Sequence, residues 1–178
     1  GIVNADLGLY LPDFRATERV FQLIYQASGR SGRSNKKGEV VIQTYSPDNV
    51  VIKNAKELKI YEFYQKELIE RKELNYPPYS WLAKIEFSGP SKSKLISLTE
   101  KINKNLKGKY VGLEILGPAP CFLEKLKNQF RYQLVFKSKK SSDPNGSSLH
   151  NFIYMNFKSK KLLGKNKIDI YFDPISLI

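Results

Sequence analysis

The sequence predicts an α/β protein in two parts. Three observations carry that prediction: strand and helix periods alternate along the chain, adjacent prolines at Pro77 and Pro78 interrupt them, and charge is divided unevenly across the interruption. The 178 residues carry 30 Lys and Arg against 17 Asp and Glu, a formal net charge of +13. Up to Ser80 there are 12 basic and 10 acidic side chains, whereas beyond it there are 18 and 7. A surplus of that size attracts polyanions without regard to their sequence. Two consecutive prolines cannot continue a helix, and each pushes its predecessor toward extended backbone. Domains are therefore expected at 1–78 and 79–178. Hydrophobic residues at 41% and aromatics at 12% predict packed cores rather than disorder. The single Cys excludes an internal disulfide, and one Cys with one His excludes a Cys/His zinc site within the chain. No apolar run approaches the ~18 residues that span a bilayer, so no membrane partner is expected.

The elements follow in order. Val20, Leu23, Ile24 and Ala27 recur at helical spacing, with Asp13 placed to cap the helix and Gly29 and Gly32 to end it. Glu39 to Thr44 holds the β-branched run Val40-Val41-Ile42 and reads as a buried strand. Ser46-Pro47 then opens a helical pattern that continues through Ile52, Ala55, Leu58, Tyr61, Leu68 and Ile69 to about Leu74. In the second part Trp81, Ala83, Ile85 and Phe87 share one face of a strand. Leu95, Leu98, Ile102 and Leu106 share one face of a helix, with Lys94, Lys101, Lys104 and Lys107 on the other side. Strands are expected over Val111 to Leu116 and Phe130 to Lys137, and the turn Asp143-Pro144-Asn145-Gly146 leads into a helix carrying Leu149, Phe152, Ile153 and Phe157. Ile168, Ile170 and Phe172 form a last strand. The order is β-α-β-β-α-β, the split ferredoxin-like arrangement.

One contiguous motif carries chemistry. Gln26 to Arg33 fits Q-x-x-G-R-x-G-R, with Gly29, Arg30 and Gly32 at its inner fixed positions. If the helical turn persists, Gln26, Arg30 and Arg33 project from one side, while the glycines admit close approach of another backbone. Guanidiniums keep their charge and fork onto phosphate oxygens, and in phosphoryl transfer such an arginine stabilises charge that builds in the transition state. The competing reading is a basic surface loop.

The motif resembles motif VI of superfamily 2 helicases. Asp13-Phe14-Arg15-Ala16-Thr17-Glu18-Arg19, Gly38 to Thr44, Tyr76-Pro77-Pro78, Leu116-Gly117-Pro118-Ala119-Pro120, Arg131-Tyr132-Gln133 and Asp169 to Pro174 follow in family order. The set resembles the primosomal replication-restart helicases across essentially the whole chain. The resemblance implies that residues 1–78 are the end of a RecA-like second helicase lobe with its connecting helices. Residues 79–178 would be a basic, ribosomal-S10-like domain. It implies a cytoplasmic ATP-dependent 3′→5′ DNA helicase that binds stalled or abandoned forks and reloads the primosome. Arg33 would be the arginine finger, Arg30 a second γ-phosphate contact, and Gln26, Gly29 and Gly32 the remaining nucleotide-facing positions. ATP with Mg would be bound mainly by a first lobe outside this chain, and the family's zinc finds no ligands here. Implied partners are branched and single-stranded DNA, the C-terminal tail of single-stranded DNA-binding protein, and other primosome proteins.

Parts of the family pattern are missing from the sequence. Gly112 and Gly117 have the spacing of a phosphate-binding loop, but Pro118-Ala119 stand where Lys and Ser/Thr are required, and no Asp-Glu pair occurs. The chain opens at Gly1 and its one Met is Met155. A fragment that hydrolyses no ATP alone is therefore expected. In the basic part, Phe130, Tyr132, Leu134 and Phe136 alternate toward a core, leaving Arg131, Gln133 and Lys137, with Lys125 and Lys127, to meet DNA or an acidic partner tail. Cys121 reads as a small buried residue and His150 has no assigned role. The alternative reading stays open: a non-catalytic basic module, the remnant of a helicase gene, that holds DNA or a peptide tail without ATP chemistry.

Overall fold

A computed structural model describes residues 2, 4–31, 39–109, 111–157, 162–163 and 166–178. The chain divides into two compact units, Gly1–Glu70 and Arg71–Ile178. The division lies ahead of the proline pair, in the last turn of a helix.

The first unit is built on α1 (Asp6–Leu9), α2 (Ala16–Ser31), α3 (Val50–Lys56) and most of α4 (Ile60–Glu73). The buried face of α2 is Val20, Phe21 and Ile24, with Leu23 exposed. The expected stripe is thus rotated by one position, because Phe21 stacks face to face on Phe63, ring centroids 4.0 Å apart. Asp13 stands at the helix start as expected, accepting the Arg15 amide at 2.9 Å. The single helix expected from Ser46 to Leu74 is two helices, since Leu58 takes a left-handed φ of 55° between them. Asn49, not Ser46, caps α3 by accepting the Val51 amide at 2.9 Å. The expected buried strand at 39–44 is reduced to one parallel bridge between Ile2 and Ile42, and Val41 is 64% exposed. A β-branched run needs a neighbouring backbone to become a sheet strand, and among the described residues only Ile2 and Ala5 offer it backbone hydrogen bonds. The run is fixed instead by Asp6, which accepts the Thr44 hydroxyl and the Tyr45 amide, each at 2.9 Å. The Tyr45 amide is the main cause holding the Asp6 carboxyl below its ordinary range.

The second unit is a sheet of β1 (Ser80–Gly89), β2 (Leu113–Leu126), β3 (Gln129–Lys139), β4 (Leu162–Leu163) and β5 (Asn166–Phe172), with helices α5 (Lys92–Leu106) and α6 (Ser147–Phe157). The strand order is β2-β3-β1-β5-β4 and every pairing is antiparallel. Apart from the two-residue β4, which the sequence did not announce, this is the split β-α-β-β-α-β order. Period-two alternation sends Ala83, Ile85 and Phe87 of β1 and Tyr132, Leu134 and Phe136 of β3 to one face. There they meet Leu95 and Leu106 of α5 and Leu149, Phe152, Ile153 and Phe157 of α6 in a single core. β2 begins later and runs much further than expected, with register shifts between Leu116 and Ala119 and between Pro120 and Lys125. At the first shift Gly117 has φ 99°, and a Cβ there would stand 2.8 Å from the Gln133 carbonyl, so a side chain is excluded.

Asp143 ties the turn before α6. Its buried carboxylate accepts the Ser148 amide at 3.1 Å, the Leu149 amide at 3.1 Å and the Ser138 hydroxyl at 3.0 Å. It thus covers two of the free amides at the helix start. Burial pushes the carboxyl up, but the Leu149, Ser148 and Ser138 donors outweigh burial and hold it below its ordinary value. A carboxyl lowered in the folded state adds stability above about pH 4 and loses it as pH falls through the folded value. Asp143→Asn is expected to cost about 1–2 kcal/mol at pH 7. The gap from the parent should shrink in acid. Urea unfolding followed through Trp81, whose indole donates to the Asp143 carbonyl at 2.9 Å, measures it. A gap independent of pH would show that the charge contributes nothing.

Candidate functional site

The sequence motif sits at the end of α2, a helix held on three sides. Phe21 stacks on Phe63, Val20 and Ile24 pack with Val51, Ile52 and Ala55, and Gln22 donates to Glu18 and to the Tyr64 hydroxyl, each at 3.1 Å. Glu18 in turn receives Arg15 at 2.9 Å, and Thr17 donates to Glu67 at 2.6 Å. These contacts fix the first three turns of α2 and so aim its C-terminal end. Gln26 and Gly29 are exposed there, and a Cβ at Gly29 would meet no atom of the described residues within 4 Å. Arg30 is on the last turn of α2. Gly32 and Arg33 lie outside the described residues.

The five C-terminal candidates are in two different situations. Lys125 and Lys127 are exposed on the β2–β3 hairpin. Lys127 and Asn128 form its two-residue turn with φ 47° and 61°, and the Lys125 ammonium lies 5.3 Å from the Phe130 ring. Arg131 forks onto Glu86 instead, Nε to Oε1 at 2.6 Å and Nη2 to Oε2 at 2.8 Å. Lys137 is 4% exposed: its ammonium donates to the Leu74 carbonyl at 2.9 Å and to Glu114 at 3.3 Å, and stands 4.0 Å from the Tyr76 ring. Gln133 is half-buried beside them, with no partner for its Oε1. The face away from the helices therefore carries Arg131 and Lys137 as expected, but both are engaged within the protein.

Neither the lone thiol nor the lone imidazole is arranged as a metal ligand. Burial, then the neighbouring Glu86 charge, pushes the Cys121 thiol up to about 11, whereas a ligand must be thiolate. His150 stacks on Phe172 with centroids 4.0 Å apart. Among the described residues no three His, Cys, Asp or Glu converge on a common point, and no helix is long and apolar enough to cross a membrane. The zinc that the resemblance implies does not fit this chain's residues.

Fold and site together define a class: a lysine-rich antiparallel α/β domain with both helices on one face, preceded by a helical unit bearing a glycine-arginine motif. A family model described as the primosomal protein N C-terminal domain matches residues 72–175, almost the whole of the second compact unit. The chain belongs to the primosomal protein N (PriA) family. It is 41% identical over 143 residues to a protein of Bacillus subtilis named replication restart protein PriA, covering 80% of this chain and 18% of that protein. Proteins of the same name are 38% identical over 176 residues in Chlamydia pneumoniae (98% of this chain, 23% of the relative) and 34% identical over 182 residues in Borreliella burgdorferi (100% and 26%). The chain thus spans about a fifth to a quarter of these relatives' length.

Proposed function

We propose that this chain is the C-terminal part of a replication-restart protein, an ATP-dependent 3′→5′ DNA helicase that acts at stalled or abandoned forks and reloads the primosome. The reading is carried by the occurrence, in one chain, of Q-x-x-G-R-x-G-R at the end of α2 and the family match over 72–175. The names of the relatives support the replication-restart role.

In this reading the first unit supplies one wall of an ATP site. Bound ATP with Mg supplies the reactive phosphoanhydride and a metal that neutralises its charge. Arg33 would meet the γ-phosphate as the arginine finger and Arg30 would add a second contact, both in cis. Gln26 and Gly29, exposed near the end of α2, would face the wall that carries the remaining nucleotide ligands. The second unit supplies the basic surface. Lys125 and Lys127 are the exposed candidates for phosphates, whereas Arg131 and Lys137 order the sheet. Branched DNA, single-stranded DNA, the tail of single-stranded DNA-binding protein and other primosome proteins are the proposed partners, in the cytoplasm.

The test uses the complete protein that contains this chain. It is expected to unwind forked duplexes along a 3′-tailed strand only when ATP is supplied, while the 178-residue chain alone turns over no ATP. Unwinding that is independent of ATP, or ATP turnover by the chain alone, would contradict the reading.

A further inference from the structure

The end of α4 and the connection from β3 to α6 enclose a cleft of about 360 Å³, lined by Lys72, Asn75, Pro78, Tyr79, Lys139 and Lys140 among others. We propose that this cleft is a binding site for the phosphodiester backbone of a nucleic acid strand. The proposal rests on reading the chain as part of a DNA-acting protein, and it assigns the contact to residues other than those of the β2–β3 hairpin.

Three lysines, Lys72, Lys139 and Lys140, line the cleft and no acidic residue is among its lining. Lys72 and Lys139 are exposed, and neither is ion-paired with a described residue. The Lys140 ammonium is held 4.1 Å from the Trp81 ring, which positions it while leaving its protons free for an acceptor. Glu73, next to Lys72 in the sequence, is not among the lining residues, and two carboxylates on the neighbouring elements, Glu114 and Asp143, are already engaged. Glu114 receives Lys137 at 3.3 Å and the Asn75 amide at 3.4 Å, and both oxygens of Asp143 accept the donors at the start of α6. Like charges gathered without a counter-ion repel one another, and an anion relieves that repulsion.

A helix C-terminus normally opposes an anion through its unpaired carbonyls. At and just beyond the end of α4 four carbonyls are covered. Asn75, in the left-handed region at φ 53°, donates its amide to the Lys72 carbonyl at 3.3 Å, and Tyr76 donates to the Arg71 carbonyl at 2.7 Å. The Leu74 carbonyl takes the buried Lys137 ammonium, and the Asn75 carbonyl takes the Ser80 hydroxyl at 2.7 Å. Lys137 therefore acts on this site indirectly: it neutralises the helix end and Glu114 together. The walls are also tied to each other, since Lys140 donates its amide to the Tyr79 carbonyl at 2.9 Å and Lys139 pairs with Ser80 across the β1–β3 ladder. Pro78 and Tyr79 add an apolar surface for a sugar or base beside the phosphate. That surface favours a nucleic acid strand over an acidic peptide.

The experiment measures binding of a fluorescein-labelled oligothymidylate to the 178-residue chain across a salt series. The triple variant Lys72→Gln/Lys139→Gln/Lys140→Gln is compared with Lys94→Gln/Lys101→Gln/Lys104→Gln, which removes the same charge from the exposed side of α5. The cleft triple is expected to weaken binding at low salt about tenfold or more, and to reduce the log–log salt slope by about 2, the value for three phosphate contacts on a single strand. The control triple should weaken it less than about threefold. The double variant Lys72→Gln/Lys139→Gln removes two unpaired surface charges and keeps the Trp81 contact. It should reproduce most of the loss even if the triple folds poorly by Trp81 fluorescence. Equal losses in the cleft and α5 triples would overturn the cleft, as would weakened binding of an oligoglutamate peptide with oligothymidylate binding unchanged. A parent chain that binds no oligothymidylate would overturn the DNA reading itself together with the cleft.

Discussion

Phe136→Ala is expected to destabilise the Arg71–Ile178 unit by about 3–5 kcal/mol. Phe136 is fully buried on the interior strand β3, between its ladder neighbours Ala83 on β1 and Ile115 on β2. Its ring meets Phe152 at 6.1 Å and Phe157 at 6.1 Å, so it joins the sheet to α6. Truncation removes the apolar area and leaves a cavity that the two ladders prevent from collapsing. A domain of this size holds about 5–15 kcal/mol in total, so about a fifth or more of its stability would go. Phe136→Leu, which nearly conserves volume, should cost less than about 1.5 kcal/mol. The sequence has one tryptophan, Trp81 at the start of β1, so urea unfolding followed through its fluorescence reports on this unit alone. A lower midpoint with an unchanged slope is the expected result. A loss below about 1 kcal/mol would contradict the packing described. Because the same ladders tie Lys139 and Lys140 to the end of α4, the alanine variant should also lose oligothymidylate binding near its unfolding midpoint.

Much of the second unit could be read from sequence, because each element has one wet face and one dry face. The alternation of Phe130, Tyr132, Leu134 and Phe136 against Arg131, Gln133 and Lys137 fixes which side of β3 meets the helices. The spacing of Leu149, Phe152, Ile153 and Phe157 does the same for α6, and all four are in the core. The misses lie where periodicity says nothing. No glycine or proline announces the break at Leu58, which takes φ 55° without either. The run Val40-Val41-Ile42 has strand propensity, but propensity does not provide a pairing partner. For α2, the Phe63 stack decides the buried face, and Phe63 is on another helix.

The candidate site divides along the same line. Q-x-x-G-R-x-G-R is contiguous and therefore visible without a structure. Alternation correctly places Arg131 and Lys137 on the face away from the helices, but it cannot reveal that Glu86 on the neighbouring strand takes one and that the Leu74 carbonyl, 63 residues earlier, takes the other. The lysine cleft was not legible at all. Lys72 comes from a helix end and Lys139 and Lys140 from the far side of the sheet, and only the fold brings them to one opening.

The central claim is that this chain completes an ATP site in cis through Arg33, and Arg33→Ala in the complete protein is the substitution that bears on it. An arginine finger acts on charge that appears only as the γ-phosphoryl group transfers, so its loss lowers kcat far more than it raises KM. The expected fall in DNA-stimulated turnover is about 10³-fold, equivalent to about 4 kcal/mol of transition-state stabilisation. Arg33→Lys keeps the charge but not the planar fork, and should recover little. Affinity for DNA should hold, because the basic surface belongs to the other compact unit. The most direct measurement is steady-state ATP turnover at saturating forked DNA for the parent and the alanine variant, with matching thermal unfolding as the control for folding. A fall of about 10³-fold in kcat with DNA affinity retained is the expected result, and turnover within about threefold of the parent would contradict the claim.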